Sequence, residues 1–473
     1  MTTIKTDICV IGGGSGGLSV AAGASQMGAK TVLVEGGKMG GDCLNYGCVP
    51  SKALLAAAKK ASFLKDASDF GLTSSPVSVD FAKVMDHVKG VIAGIAPHDS
   101  VERFESLGVT VLQGYARFIS GREIEVNGTK VAARRFVIAT GSRAVAPPVP
   151  GLEDAGYLTN ETIFENRILP AHLLIIGGGP IGLEMAQAHA RLGAKVTVLE
   201  AFRAFGKDDP ELSAIVLEKL RAEGIDIREN VKIASVSKEE GGYRLSLGDD
   251  GTEQITGSHL LVAAGRKANV KNLNLEAAGV DYTAKGVTVD AGLKSSNRRI
   301  YAIGDVAGSY QFTHIAGYHA GIVIRSALFR LPAKVNYAAV PWVTFTDPEL
   351  AHVGLSEREA REKEGDSLRV MRFSFDENDR ARAMRETTGF IKAITTKSGK
   401  ILGASIVGPE AGELIHAWAL AISGGLKIGS VASYIAPYPT LGEVSKRAAG
   451  NFYTPSLFSS KTRRLVRFLS LFG

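Results

Sequence analysis

The sequence is poor in cysteine, with three in 473 residues, too few for the disulfide framework of a secreted protein. No run approaches the roughly 18 apolar residues a membrane-spanning helix needs. The start, Met1-Thr2-Thr3-Ile4-Lys5, has no basic region leading into a cleavable apolar stretch, so no signal peptide is expected and a reducing cytoplasm is the default compartment. Net charge is +7, mild for this length, and no Lys/Arg block with interleaved aromatics marks a nucleic-acid groove. What the chain does have is glycine, 55 residues, much of it in turns of one kind. At 45% hydrophobic and 22% charged it reads as globular, long enough for about three domains.

Two of the cysteines stand close together, in Gly40-Gly41-Asp42-Cys43-Leu44-Asn45-Tyr46-Gly47-Cys48-Val49-Pro50-Ser51-Lys52. A C-x4-C pair has four readings. Zinc would need a second pair of ligands, and no second cysteine pair exists, so no metal site is expected. A structural disulfide, two inert small hydrophobes and a redox-cycling dithiol stay open. The following Ala53–Lys60 run forms helix readily, which places the cysteines at or just before a helix N-terminus, where the dipole favours a thiolate. In one continuous helix residues i and i+5 are roughly 8–9 Å apart, too far to bridge, so a disulfide would need a distorted first turn, which Gly47 permits.

The glycines carry a second pattern. Ile8–Ile11 reads as a buried parallel strand, followed by Gly12-Gly13-Gly14-Ser15-Gly16-Gly17, a helix over Leu18–Met27, and a strand Thr31–Val34 ending at Glu35. Gly12, Gly14 and Gly17 fit G-x-G-x-x-G. Strand, glycine turn, helix, strand and acid together form a dinucleotide-binding unit, in which the backbone approaches a pyrophosphate and the acid bonds a ribose. The unit recurs: strand Leu173–Ile176, then Gly177, Gly179, Ile181 and Gly182 in the turn, a helix over Leu183–Leu192, and strand Val196–Leu199 ending at Glu200. Glu200 should repel a 2′-phosphate and so favour NADH over NADPH, a preference that nearby Arg203 weakens. Further strand ends at Thr140-Gly141-Ser142, Gly265-Arg266 and Asp305 fall on the sheet edge where ligands sit; Asp305 could equally cap the next helix.

Taken together, Cys43 and Cys48, both fingerprints and the Ala139-Thr-Gly-Ser and Ile303-Gly-Asp strand ends make the sequence similar to class I flavoprotein disulfide reductases. That family includes dihydrolipoamide dehydrogenase, glutathione reductase and mercuric reductase. The resemblance covers nearly the whole chain. It implies an α/β fold with two Rossmann-like domains for FAD and NAD(P), and a C-terminal α+β dimerisation domain marked by Val340–Gly354 and Gly403–His416. The implied domains are 1–148 and 271–338 for FAD, 149–270 for NAD(P) and 339–473 for the interface. By the same resemblance Cys48 is the thiol beside the flavin and Cys43 the outer, interchange thiol. Lys52 stabilises charge on reduced flavin, and Glu184 resembles the partner of that lysine. Gly12, Gly14, Ser15, Gly16, Gly17, Glu35, Gly41, Lys52, Gly114, Tyr115, Ala116, Thr140, Gly141, Ser142, Asp305, Thr313 and His314 would contact FAD; Gly177, Gly179, Ile181, Gly182, Glu200, Gly265 and Arg266 are read with the nucleotide sites. Electrons would run from NADH to flavin, to the sulfurs, and on to a small-molecule or small-protein acceptor.

Two departures stand out. Where disulfide-reducing members carry His-Pro-x-x-x-Glu reaching across the homodimer, this chain has Tyr438-Pro439-Thr440-Leu441-Gly442-Glu443. Tyrosine, with an ordinary pKa near 10, is a poor base at neutral pH. Slow turnover of dihydrolipoamide and ordinary disulfides is therefore expected, which leaves room for a quinone or similar acceptor, or for a redox-sensing protein with little turnover. Mercuric reductases also carry Tyr there, but add a C-terminal cysteine pair that this sequence lacks. The second departure is the tail from Phe458 to Gly473, with Lys461, Arg463, Arg464 and Arg467 but no acid, and apolar residues at helical spacing. It reads as a basic amphipathic helix (residues 459–473) that either packs on its own dimer or lies peripherally on the inner face of the membrane.

Overall fold

A computed structural model describes residues 3–73 and 78–472; Met1, Thr2 and Gly473 of the segments read above lie outside them. The elements that position the site begin with β1 (Thr3–Ile11), α1 (Ser15–Gln26), β2 (Thr31–Glu35), α2 (Gly41–Asn45) and α3 (Cys48–Lys65). They continue with β3 (Val109–Gln113), β4 (Thr129–Ile138), β5 (His172–Ile176), α4 (Pro180–Arg191), β6 (Lys195–Leu199), α5 (Pro210–Ala222), β7 (His259–Val262), β8 (Ile300–Ala302) and α6 (Thr313–Ala327). Toward the C-terminus come β9 (Pro341–Thr344), β10 (Glu349–Gly354), β11 (Leu368–Ser374), β12 (Phe390–Thr396), β13 (Ile401–Gly408), α7 (Glu443–Gly450) and α8 (Ser460–Leu469).

The described residues divide into two compact units, one holding 3–178, 188–201 and 228–335, the other 179–187, 202–227 and 336–472. In the first, β3, β2, β1, β4 and β8 lie side by side in parallel, Ile8 facing Thr31 on one flank and Arg135 on the other. Ile8–Ile11 is apolar at every position because both faces of this sheet are covered. Cys9 and Ile11 enter one core with Phe118 and Phe136, whereas Ile8 and Val10 enter another with Leu18, Val20 and Tyr301. The same unit holds the parallel trio β6, β5 and β7, Leu173 facing Val196 and His259. Each glycine turn follows the C-terminal end of its first strand, and each helix starts from it, as a dinucleotide unit requires.

The second unit is built on an antiparallel sheet in the order β9-β10-β13-β12-β11. Strand β13 is buried along its whole length, between α5 and a core containing Trp418, Phe375 and Ile406. Lys392 of β12 is buried there and pairs with Asp209 at 2.8 Å and Glu211 at 2.5 Å, so α5 is pinned by charge as well as by apolar contact. Those partners hold its ammonium above the ordinary lysine value against the opposing pull of burial. A lone lysine in the otherwise uncharged run Phe390–Thr396 gave no sign of these partners.

Candidate active site

The thiol segment is placed by backbone rather than by side chains. Gly40 and Gly41 both take positive φ, 85° and 60°, and Gly40 N–H donates to the Gly13 carbonyl at 2.9 Å. A Cβ on Gly41 would come within 2.7 Å of the Gly14 Cα. Only a residue without one lets α2 lie across the first glycine turn. Asn45 then ties the segment down, donating to the carbonyls of Met39 and Gly41 at 3.0 and 2.9 Å. The chain breaks at Tyr46-Gly47 and a second helix begins at Cys48. Cys43 and Cys48 thus sit on two helices, which removes the distance limit that one continuous helix would impose.

Cys48 is the first residue of α3, whose first turn contains no acid. Its Sγ lies 3.5 Å from Thr313 Oγ1, at the start of α6. The Cys43 thiol, donating to it, is the main reason the Cys48 pKa falls to about 6; Thr313 and the charge of Lys52 add to this, while burial and Asp42 oppose it. Giving up that hydrogen bond, together with burial, holds the Cys43 thiol well above the ordinary range, although Thr313 and Ser15 pull it down. The pair therefore stands as one thiolate and one thiol, with the charge on Cys48. Cys9, fully buried in β1, is kept protonated by desolvation and is a core residue.

Beside the sulfurs lies a polar chain. Asp42 accepts from Asn160 at 2.9 Å and pairs with Arg266 at 3.2 Å. Arg266 also donates to the Ser142 hydroxyl at 2.8 Å, and Ser142 donates to Asp305 at 2.5 Å. Burial raises the Asp305 pKa, against Ser142 and Arg266, which lower it. Arg266, read from sequence with the nucleotide sites, is thus joined to the residue preceding Cys43. His319 accepts from Gly304 N–H at 3.1 Å, and burial lowers its pKa to about 4, so it is neutral. Asp42, Asn160 and His319 were not singled out by motif; a carboxylate adjoining a cysteine at a helix start was the one signal available for Asp42.

The remaining predicted residues of this unit fall around the first glycine turn or at its counterpart. Glu35 accepts from Gly13 N–H and, at 2.5 Å, from Gly37 N–H, while Gly114 N–H donates to its carbonyl. Tyr115 is exposed beside Gly36, and Ala116 is core. Thr140 donates to the Asn269 carbonyl at 2.8 Å, and His314 stacks on Phe312 at 5.2 Å. Gly14 gives α1 no side-chain cap and its first turn carries no acid, leaving a helix start suited to a phosphate. At the second turn Glu200 accepts from Gly178 N–H at 2.7 Å.

In the second unit, buried Glu184 accepts from Phe345 N–H at 2.9 Å. Tyr438 is 71% exposed and donates to Asp379 at 3.0 Å. That bond, together with the charges of Asp379 and Glu443, pushes its phenol above the ordinary value, further from use as a base. Glu443 opens α7. Among the described residues no cluster of three or more His, Cys, Asp or Glu could hold a metal ion, and no helix is long and apolar enough to cross a membrane.

Comparison with known proteins accounts for this arrangement. Residues 6–320 match the pyridine nucleotide-disulphide oxidoreductase family, and 340–449 match its dimerisation domain. The chain is 36% identical over 450 residues to a mercuric reductase of Bacillus cereus, covering 94% of this chain and 71% of that one. It is 34% identical over 462 residues to a dihydrolipoyl dehydrogenase of Geobacillus stearothermophilus, covering 94% and 96%. The HOCl-induced flavoprotein disulfide reductase RclA of Escherichia coli, solved as a Cu(II) complex, superposes with a TM-score of 0.85 at 28% identity, over 93% of this chain and 99% of that one. The chain belongs to the pyridine nucleotide-disulphide oxidoreductase family, as an NAD(P)H-dependent flavoprotein disulfide reductase with Cys43 and Cys48 as its redox pair.

Proposed function

We propose that this enzyme carries electrons from NADH, in preference to NADPH, through Cys43 and Cys48 to a disulfide, quinone or similar acceptor, and is slow with dihydrolipoamide. The observation that carries the reading is the polarised thiol pair: a Cys48 thiolate at a helix start, held by Cys43 and Thr313 over the first glycine turn. FAD supplies the two-electron relay between nicotinamide and sulfur. Its fit rests on the uncapped start of α1, the Glu35 carboxylate and the close approach of Gly41 to Gly14. Cys48 keeps its charge toward the flavin, balanced by Lys52. Cys43 must lose its proton before its sulfur can attack an acceptor. In the homodimer the 437–443 segment would serve the other subunit's pair, and there Tyr438 is a weak proton acceptor. The domain limits proposed with this reading are 1–148, 149–270, 271–338 and 339–473.

Mercuric ion reduction is the second reading, favoured by the names of several relatives and by Tyr438. Steady-state NADH oxidation over a panel of lipoamide, small disulfides, quinones and Hg(II) separates the two. The first reading expects a quinone or a particular disulfide to turn over, with Tyr438→His raising lipoamide turnover by about 10²–10⁴, the usual range for a general base. Turnover with Hg(II) alone would establish the second. No turnover with any acceptor, with the flavin still reduced by NADH, would leave a redox sensor.

A further inference from the structure

The dimerisation-domain match ends at residue 449, and α8 lies beyond it. The helix is firmly started: Ser459 Oγ accepts from Thr462 N–H at 3.2 Å, and Thr462 Oγ1 donates to the Ser456 carbonyl at 2.7 Å. At about 100° per residue, Leu465, Val466, Phe468 and Leu469 share one arc, and Phe472 extends it. Arg463, Arg464 and Arg467 occupy the opposite arc. The four apolar side chains of the helix are all 55–59% exposed, and Leu471 and Phe472 more so. Among the described residues no ion pair engages Lys461, Arg463, Arg464 or Arg467. A second copy docked apolar arc to apolar arc would leave Arg463, Arg464 and Arg467 on the outside of the contact with no anionic partner. A protein partner would have to offer an apolar groove with an acidic rim. An anionic bilayer offers both at once: an acyl boundary for the apolar arc and phosphates for planar guanidinium groups, which bind them two-pronged.

We propose that α8 is a surface anchor that lies in the plane of an anionic phospholipid bilayer, with Leu465, Phe468, Leu469 and Phe472 in the acyl boundary and Arg463, Arg464 and Arg467 on lipid phosphates. The anchor stands apart from the acceptor reading above.

The test is co-sedimentation of the full-length, FAD-loaded protein with vesicles of phosphatidylglycerol and phosphatidylcholine, 1:1, and of phosphatidylcholine alone. Binding to the anionic vesicles should exceed that to neutral ones by at least about tenfold, given the gain from each cation near such a surface. Leu465→Glu with Phe468→Glu should abolish binding while NADH–dye turnover and the mass measured by light scattering stay constant. Arg463→Glu with Arg467→Glu should do the same. Equal binding to both vesicle types, or full binding by either double variant, overturns the proposal. So does a fall in oligomeric mass on Leu465→Glu with Phe468→Glu, which would show that a second copy covers this face.

Discussion

The two glycine turns are built alike and used differently. Gly12 and Gly177 take nearly the same φ, +113° and +115°, and a Cβ on either would strike the carbonyl of the strand alongside, Ala139 and Ala263. In both, the glutamate ending the next strand accepts from the second glycine's N–H, Glu35 from Gly13 and Glu200 from Gly178. The difference begins after that strand. At the first turn the chain doubles back through Gly40 and Gly41 and lays Cys43 against Ser15. At the second, none of the described residues beyond its own turn and helix comes within 4 Å of a Cβ built on Gly179. One backbone device thus recurs at two turns, and the thiol segment covers only the first.

The sharpest way to break that comparison is to add one methyl to each turn. Gly41→Ala puts a β-carbon 2.7 Å from the Gly14 Cα at a φ of +60°. The thiol segment must lift, and the purified protein should be colourless and inactive. Gly179→Ala meets open space and an ordinary φ, so that variant should fold, stay yellow, and bind NADH more weakly where the added methyl faces the pyrophosphate. Ultraviolet–visible spectra and the KM for NADH read both outcomes. Equal flavin loss in the two variants would mean the turns are not distinguished by what covers them.

The paired glutamates give a smaller contrast. Glu35→Ala should weaken FAD retention, since its carboxylate organises the backbone of Gly13 and Gly37. Glu200→Ala should leave the flavin in place and narrow the ratio of kcat/KM between NADH and NADPH by roughly tenfold, the scale of one lost charge-assisted hydrogen bond and one relieved repulsion. An unchanged ratio would remove Glu200 from nucleotide choice.

How much of this was legible follows from which interactions are local in sequence. The strand–turn–helix–strand–acid units are local, so the glycine spacing located β1, α1 and β2, and again β5, α4 and β6. The thiol pair was local too, and so was the largest part of its polarity, the hydrogen bond from Cys43 to Cys48; the smaller contribution of Thr313 comes from an element 265 residues away and was not. The Asp42–Arg266–Ser142–Asp305 chain joins four separated segments; Ser142, Arg266 and Asp305 were marked as strand ends, but nothing local showed that they meet one another and Asp42. The buried Lys392 escaped notice for the same reason, since its partners lie on α5, far back in the chain. The break between α2 and α3 was half visible: Gly47 permitted it, but nothing local required two helices instead of one.

The finest test concerns charge on Cys48, which has no equivalent at the second turn. The Cys43 hydrogen bond is the largest influence holding its pKa near 6, so Cys43→Ala should let that value rise toward the ordinary thiol value of 9. A hydrogen bond donated to a thiolate favours the charged form; removing it raises the pKa and shrinks the thiolate fraction at fixed pH. At pH 6.5 iodoacetamide should then label Cys48 at least about tenfold more slowly than in the reduced wild-type protein, because the thiolate alone reacts. Thr313→Val should shift the profile the same way by less. Asp42→Asn should shift it in the opposite direction, since the aspartate charge raises the Cys48 pKa; its effect should be the smallest because Arg266 and Asn160 already engage that carboxylate. A profile that moves upward in Asp42→Asn would mean Asp42 acts chiefly by positioning Arg266 and Asn160, with the loss of their order outweighing the loss of its charge.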